Sequence, residues 1–115
     1  MDKTIRDQER VYHMLDAARK AVEFTSGKDS TQLEADEILT LALVRLLEII
    51  GEAAGCVSVE CRSDYPNVPW TAIKGMRNRL IHGYFDCNVE LMWKTVKEDL
   101  PPLIPILENI IAGKT

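Results

Sequence analysis

The chain has 115 residues, of which 46% are apolar and 28% charged. This balance predicts one globular domain over residues 1–115. A formal charge of -4 and a pI near 5.2 exclude a broad basic surface for non-specific nucleic-acid binding, so any contact with RNA must be local. Residues 1–24 lack the apolar segment of a secretory signal, and no run approaches the roughly 20 apolar residues that span a bilayer. We expect a cytoplasmic protein without membrane contact.

The cysteines predict neither a disulfide framework nor a metal site. Cys56, Cys61 and Cys87 are odd in number and form no CxxC pair, which indicates reduced thiols. The spacing of Cys56, Cys61 and His13 matches no common zinc site. His13 also lies away from the apolar stripe of its helix, which is typical of a solvated surface histidine.

The first half of the chain predicts two long helices. Residues 4–25 show apolar spacings of three and four, and residues 33–56 are apolar almost all the way round. A helix of the second kind indicates the centre of a bundle and burial against a second copy of the chain. Its polar residues Arg45, Glu48 and Glu52 form one stripe. That stripe is either a solvated edge with an internal ion pair or part of a site.

Further helices follow a loop at residues 57–69 that has room for one helical turn. A helix begins near Trp70, and Asn88 is a suitable N-cap for a helix over residues 89–98. The sequence therefore predicts an all-α, up-down bundle of four to five helices.

The last predicted helix is marked by proline. Asp99 can cap it, and Pro101 and Pro102 suit its first turn. Pro105 lies too deep for that position and predicts a kink or a later start. Gly113 marks the end of the helix.

The stretch "GMRNRLIHGYF", residues 75–85, concentrates polar and aromatic side chains. Projected on a straight helix at about 100° per residue, one side collects the apolar residues Trp70, Ile73, Met76, Leu80, Ile81 and Tyr84. Asn78 and His82 fall outside this arc. Arg77 lies within the apolar face, where a guanidinium needs an acceptor such as Glu48 or Glu52.

Two interpretations of this stretch stay open on periodicity alone. In the structural one, Arg77 is a buried ion-pair partner, His82 and Gly83 end the helix, and Tyr84 belongs to the core. In the functional one, Arg77 and His82 converge on a phosphate, where arginine stabilises charge and histidine transfers a proton. The two lie about 140° apart on a straight helix, so convergence requires a distortion at Gly83 or a second subunit.

Three segments carry a resemblance to a known family. "RNRLIH" has the form R-x4-H, and it is flanked by "LLEIIGEAA" upstream, "YPNVPWTAIKGMRNRLIHGYF" through the motif and "VELMWKTVKEDLPPL" downstream. The order of these segments resembles the HEPN superfamily of small α-helical ribonucleases, and in particular its DUF86 or HepT-like toxins. The resemblance covers roughly residues 35–110.

The resemblance implies a homodimer that cleaves RNA at a shared cleft, without a metal or other cofactor. By position it makes Arg77 and His82 the catalytic pair and Asn78 a polar residue that orients the site. Lys74 and Arg79, and also Arg62, could contact RNA phosphates locally. For each of these cations, a solvated surface charge is an equally good interpretation.

The form R-x4-H-x-Y implies a role for Tyr84. In HepT-like toxins, a small nucleotidyltransferase antitoxin transfers AMP to this tyrosine, and the added charge would repel RNA. Gly83 departs from the larger polar residue that is frequent at this place. Two rival hypotheses stay open: a non-catalytic nucleotide-binding subunit that regulates a nucleotidyltransferase, and a purely structural helical dimer.

Overall fold

A computed structural model describes residues 3–81 and 87–113. For residues 3 and 4, only the backbone is described. Its helices are α1 (Lys3–Phe24), α2 (Ser30–Ala35), α3 (Glu37–Cys56), α4 (Val59–Asp64), α5 (Trp70–Lys74), α6 (Met76–Leu80), α7 (Val89–Lys94) and α8 (Leu100–Ile111), with a π-helical segment at Thr95–Asp99. The described residues contain no strand, only an isolated antiparallel bridge between Ile81 and Cys87. The all-α prediction is confirmed.

The core lies where α3 packs against α1 and α5 and where α1 packs against α8. Leu43, Leu47 and Ile50 of α3 are fully buried, as are Met14 of α1 and Leu107 of α8. The prediction that the second long helix occupies the centre of the bundle is therefore confirmed. None of the helices in the described ranges combines the length and hydropathy needed to cross a membrane.

The predicted helix over residues 33–56 is wrong at its start, because the chain forms two helices that meet at Asp36. The Asp36 carboxylate accepts a hydrogen bond from the Leu39 N–H at 2.9 Å and so caps α3. Asp29 caps α2 in a reciprocal pair with Gln32. Each short helix thus has its own start signal, and the apolar pattern runs across the break.

The helical turn expected after α3 is present as α4, and a carboxylate on α1 holds its start. Asp7 accepts hydrogen bonds from the N–H of Ser58 at 2.9 Å and from its hydroxyl at 2.6 Å. The Ser58 hydroxyl oxygen in turn accepts from the Cys61 N–H. These hydrogen bonds connect α1 to the segment that precedes the motif. Asp7 is only 9% exposed, so the bonds are shielded from water.

The chain from α7 to α8 corrects the prediction that Asp99 caps a separate last helix. Asp99 has helical backbone angles and makes no side-chain cap bond, and the Leu100 N–H donates to the Thr95 carbonyl five residues earlier. Pro101 and Pro102 have no N–H to give to the carbonyls before them. This shortage of donors permits the wider π-helical turn instead of a break.

Other helix ends follow the sequence. The Asn88 side chain accepts from the Leu91 N–H at 3.0 Å, which confirms the predicted N-cap of α7. Pro105 lies inside α8, so the predicted later start is wrong. Gly113, with a φ of 75°, follows the last turn as expected.

Candidate active site

The motif occupies two short helices rather than one long one. The chain turns at Gly75 between α5 and α6, and α6 ends at Leu80. Ile81 is already extended, with φ of -124° and ψ of 112°. The projection of one straight helix from Trp70 is therefore wrong, because the helix is interrupted at Gly75 and ends at Leu80. Gly83, where a distortion was expected, lies outside the described residues.

The backbone reverses direction after α6. Ile81 and Cys87 form the antiparallel bridge, and the Asn88 N–H donates to the Leu80 carbonyl at 2.7 Å. The Leu80 carbonyl therefore accepts its hydrogen bond from a residue outside α6, which helps to end this helix. The predicted site residues His82 and Tyr84 lie outside the described residues.

Arg77 has the acidic partner that the sequence predicts. Its Nε donates to Oε2 of Glu48 on α3 at 3.0 Å. The Arg77 side chain is 46% exposed and that of Glu48 21%, so the interpretation as a buried ion pair is wrong. Because Gly75 separates α5 from α6, directions counted from Trp70 do not carry over to Arg77.

The polar stripe on α3 contains two neighbouring ion pairs. Arg45 Nη1 lies 3.7 Å from Glu52 Oε1, with both side chains 62% exposed, while Glu48 binds Arg77. The predicted internal ion pair is confirmed, and the stripe is also the surface on which Arg77 rests. Of the two acidic candidates, Glu48 is the one that binds.

The remaining predicted site residues are distributed around the two short helices. Asn78 is exposed directly after Arg77, and Lys74 is exposed on α5 with its aliphatic stem over Gly55. Arg79, about 200° from Arg77 on a helix, lines a separate cavity together with Asp99. Arg77 and Asn78 are thus consecutive exposed residues of α6, whereas Arg79 lines a separate cavity.

The sequence analysis does not predict the close approach between α3 and α5. A Cβ added at Gly51 would lie 3.3 Å from the carbonyl oxygen of Ile73, so glycine allows the motif segment to pack against α3. A glycine in the interior of an apolar helix was the available signal.

Cys56 is exposed, and Cys61 and Cys87 are partly buried. None of the three cysteines forms a disulfide within the described part of the chain. Burial raises the pKa of Cys61, and the carboxylates of Asp7 and Asp64 add to the effect. Among residues 3–81 and 87–113, no group of three or more His, Cys, Asp or Glu side chains is arranged to hold a metal ion.

Comparison with known families identifies the scaffold. A family model described as Ribonuclease HepT-like matches residues 14–110. The chain belongs to the Ribonuclease HepT-like family. The match runs from α1 through α8 and includes Glu48, Arg77 and the residues through Tyr84. The resemblance inferred from the motifs is confirmed at the level of the family.

Individual members of the family give the same result. "Putative RNase MJ1380" of Methanocaldococcus jannaschii is 41% identical over 93 residues, covering 81% of this chain and 85% of its own. "Putative RNase TTE0752" of Caldanaerobacter subterraneus subsp. tengcongensis is 37% identical over 99 residues, covering 86% and 88%. "Probable ribonuclease HepT" of Thermococcus cleftensis is 41% identical over 81 residues, covering 70% and 74%. No solved structure matches the chain significantly.

Membership in the HepT-like family leaves the individual roles as predictions. Arg77, Asn78 and His82 are the predicted catalytic set, Tyr84 the predicted AMP acceptor, and Lys74 with Arg79 the predicted RNA contacts. Of these, the structure describes Lys74 and the three consecutive residues from Arg77, all of which are exposed.

Proposed function

We propose that this chain is a cytoplasmic endoribonuclease toxin that cleaves RNA without a metal at a site formed by Arg77, Asn78 and His82. The observation that carries the proposal is the half-exposed Arg77, whose Nε is held by Glu48 in a chain that belongs to a ribonuclease family. With Nε occupied, the two Nη groups are left to bind a phosphate in a bidentate manner.

The chemistry needs only proton transfers and charge stabilisation. The ribose 2′-oxygen forms a bond to phosphorus while the bond from phosphorus to the 5′-oxygen breaks. The 2′-hydroxyl loses a proton and the 5′-oxygen gains one, and His82 performs one of these transfers. Arg77 stabilises the negative charge that develops on the phosphoryl oxygens, and Asn78 orients the group.

Cleavage of single-stranded RNA in excess EDTA tests this function. Arg77→Ala is expected to slow cleavage by about 10²- to 10³-fold, His82→Ala by about 10²- to 10⁴-fold, and Asn78→Ala to reduce it. Arg19→Ala is a matched control, because Arg19 on α1 is 49% exposed and, like Arg77, is ion-paired to a glutamate, Glu108 on α8. Intact RNA at high wild-type concentration, with no adenylyl group on the protein by intact mass, would reject the ribonuclease and leave the two rival hypotheses, a nucleotide-binding subunit and a structural dimer.

A homodimer is part of the proposal, and the surface of α3 supports it. Ile38 is 81% exposed and Leu41 56%. The successive steps from Ile38 to Leu41, Arg45 and Glu48 are three, four and three residues, which places all four on one side of the helix. Apolar side chains on the stripe that holds Arg77 favour a contact through which two copies of the site face one cleft.

Light scattering during size exclusion measures the dimer. Ile38→Asp and Leu41→Asp are expected to produce monomers with reduced cleavage. Val59→Asp is the matched control, because Val59 is 64% exposed on α4, away from the stripe. A monomeric wild type would remove the shared cleft from the proposal.

Silencing through Tyr84 is the last part. A nucleotidyltransferase antitoxin is expected to add AMP to Tyr84 and to stop cleavage, because an anionic adduct two residues from His82 repels the substrate phosphate. Tyr84→Phe is expected to stay active when the partner and ATP are present. Tyr12→Phe, which changes a tyrosine that is 52% exposed, should still be silenced, and adenylylation that maps to Tyr12 would contradict this part.

A further inference from the structure

The structure contains a cavity of about 310 Å³ between α5, α6 and the chain that runs from the π-helical segment into α8. It lies at the lower end of the range of roughly 300–1,000 Å³ seen for small-molecule sites, which suits a single ring system. Its apolar wall includes Ile50, Ile73, Met76, Leu100 and Leu103.

Two opposite charges line this apolar cavity, Arg79 from α6 and Asp99 from the π-helical segment. Neither belongs to the ion pairs formed in the part of the chain that the structure describes. Asp99 is at the start of α8 but makes no cap bond. The Thr95 hydroxyl, also at the cavity, is committed to the Leu91 carbonyl at 2.8 Å. The Arg79 and Asp99 side chains can therefore form hydrogen bonds with a ligand in the cavity.

We infer that this cavity binds an unpaired guanine base of the RNA substrate. The inference rests on the proposed ribonuclease function and gives it a base preference. Guanine presents two adjacent donors, N1–H and the 2-amino group, that a carboxylate can accept together. Its O6 and N7 are two acceptors that arginine binds in a bidentate manner. Adenine, cytosine and uracil have neither this donor pair nor this acceptor pair.

The position of the cavity agrees with this assignment. Arg79 and Arg77 lie on opposite sides of one helical turn, whose diameter with side chains is about 10–12 Å. An RNA strand that places one phosphate at Arg77 can pass around α6. A nearby nucleotide of the same RNA can then insert its base into the cavity. Arg79, first interpreted as a phosphate contact, becomes a base-reading residue.

Binding of single nucleotides tests the inference without any cleavage. In titrations of the wild-type chain with GMP, AMP, CMP and UMP, GMP is expected to bind most tightly by at least about tenfold, because one good bidentate pair discriminates by roughly 5- to 150-fold. GMP should shift the methyl resonance of Met76, which lines the cavity, and leave that of the buried Met92 unchanged. Equal binding of the four nucleotides, or a shift at Met92 alone, overturns the inference.

A substitution at Asp99 provides a change of specificity. Xanthine carries a carbonyl oxygen where guanine has its 2-amino group, so an asparagine amide can pair with xanthine as a carboxylate pairs with guanine. Asp99→Asn should therefore bind GMP at least about tenfold more weakly and bind xanthosine monophosphate in preference to GMP. Glu98→Gln is the matched control on an exposed neighbour, and an unchanged GMP affinity in Asp99→Asn overturns the inference.

The two proposals fail separately. Cleavage of RNA without selective GMP binding removes the guanine site and keeps the ribonuclease. Selective GMP binding without cleavage removes the ribonuclease and turns the cavity into a nucleotide site.

Discussion

The ion pair between Glu48 and Arg77 should control cleavage more than it controls stability. Nε of Arg77 donates to Glu48 at 3.0 Å, with 46% and 21% of the two side chains exposed. A pair that is this exposed contributes only about 0–1 kcal/mol to the free energy of unfolding. Glu48→Ala is therefore expected to leave the melting temperature nearly unchanged, whereas the guanidinium loses the bond that fixes its orientation.

The expected loss of rate follows from the number of contacts removed. Arg77→Ala removes the group that stabilises the phosphoryl charge, which costs about 10²- to 10³-fold in the rate of cleavage. Glu48→Ala keeps the guanidinium but removes the hydrogen bond that orients it. A hydrogen bond of about 1–1.5 kcal/mol corresponds to a loss of roughly 5- to 13-fold in the rate of cleavage. Glu48→Gln should fall between Glu48→Ala and the wild type, because the amide oxygen can still accept from Nε.

Single-turnover cleavage of an end-labelled RNA, with protein in excess and EDTA present, measures these rates. Because Glu48 acts through Arg77, the double variant Glu48→Ala/Arg77→Ala should be no slower than Arg77→Ala alone. Glu108→Ala, at the surface pair with Arg19, serves as a control and should cleave at the wild-type rate. Additive losses in the logarithm of the rate, or a wild-type rate for Glu48→Ala, would refute the positioning role.

Three other predictions concern the scaffold. Asp7→Ala removes the acceptor of two hydrogen bonds from Ser58 and should lower the free energy of unfolding by about 2–4 kcal/mol. A decrease of less than about 0.5 kcal/mol, measured by urea denaturation, would contradict this. Gly51→Val forces side-chain atoms against the Ile73 carbonyl and should cost about 1–3 kcal/mol in stability and reduce cleavage; unchanged melting would show that the helices can separate. Burial and two nearby carboxylates raise the pKa of Cys61, so its alkylation, followed by mass spectrometry, should require a higher pH than that of free cysteine. The corresponding stabilisation is present below the ordinary thiol pKa and lost as pH rises through the raised one, and alkylation at the pH of free cysteine would argue against it.

Local signals in the sequence were sufficient for the core and for several helix ends. The apolar periodicity of residues 33–56 predicted the buried position of α3, since side-chain spacing alone decides which residues can face a core. Asn88 caps α7 as predicted because a cap bond joins residues three positions apart. Asp36 is a cap of the same kind, and it was hidden within a continuous apolar pattern.

Features that depend on tertiary packing could not be predicted in the same way. The exposure of Arg77 depends on the turn at Gly75, which reorients α6 relative to α5. The π-helical segment depends on how carbonyls near Pro101 share the remaining donors. The partner of Arg77 was predicted from charge, but the choice of Glu48 over Glu52 required the packing of α6 against α3.

An acidic chain can act on a polyanion if the cations at its site have separate roles. Arg77 and Arg79 lie on opposite sides of α6, the first on a surface shared with Glu48 and the second in an apolar cavity shared with Asp99. Under the two proposals, Glu48 fixes the direction in which the Arg77 guanidinium binds a phosphate, and Asp99 adds a requirement for donors on a ligand that reaches Arg79. A net charge of -4 then disfavours RNA that satisfies neither requirement. We therefore expect selectivity to arise from the acidic partners and not from the number of basic residues.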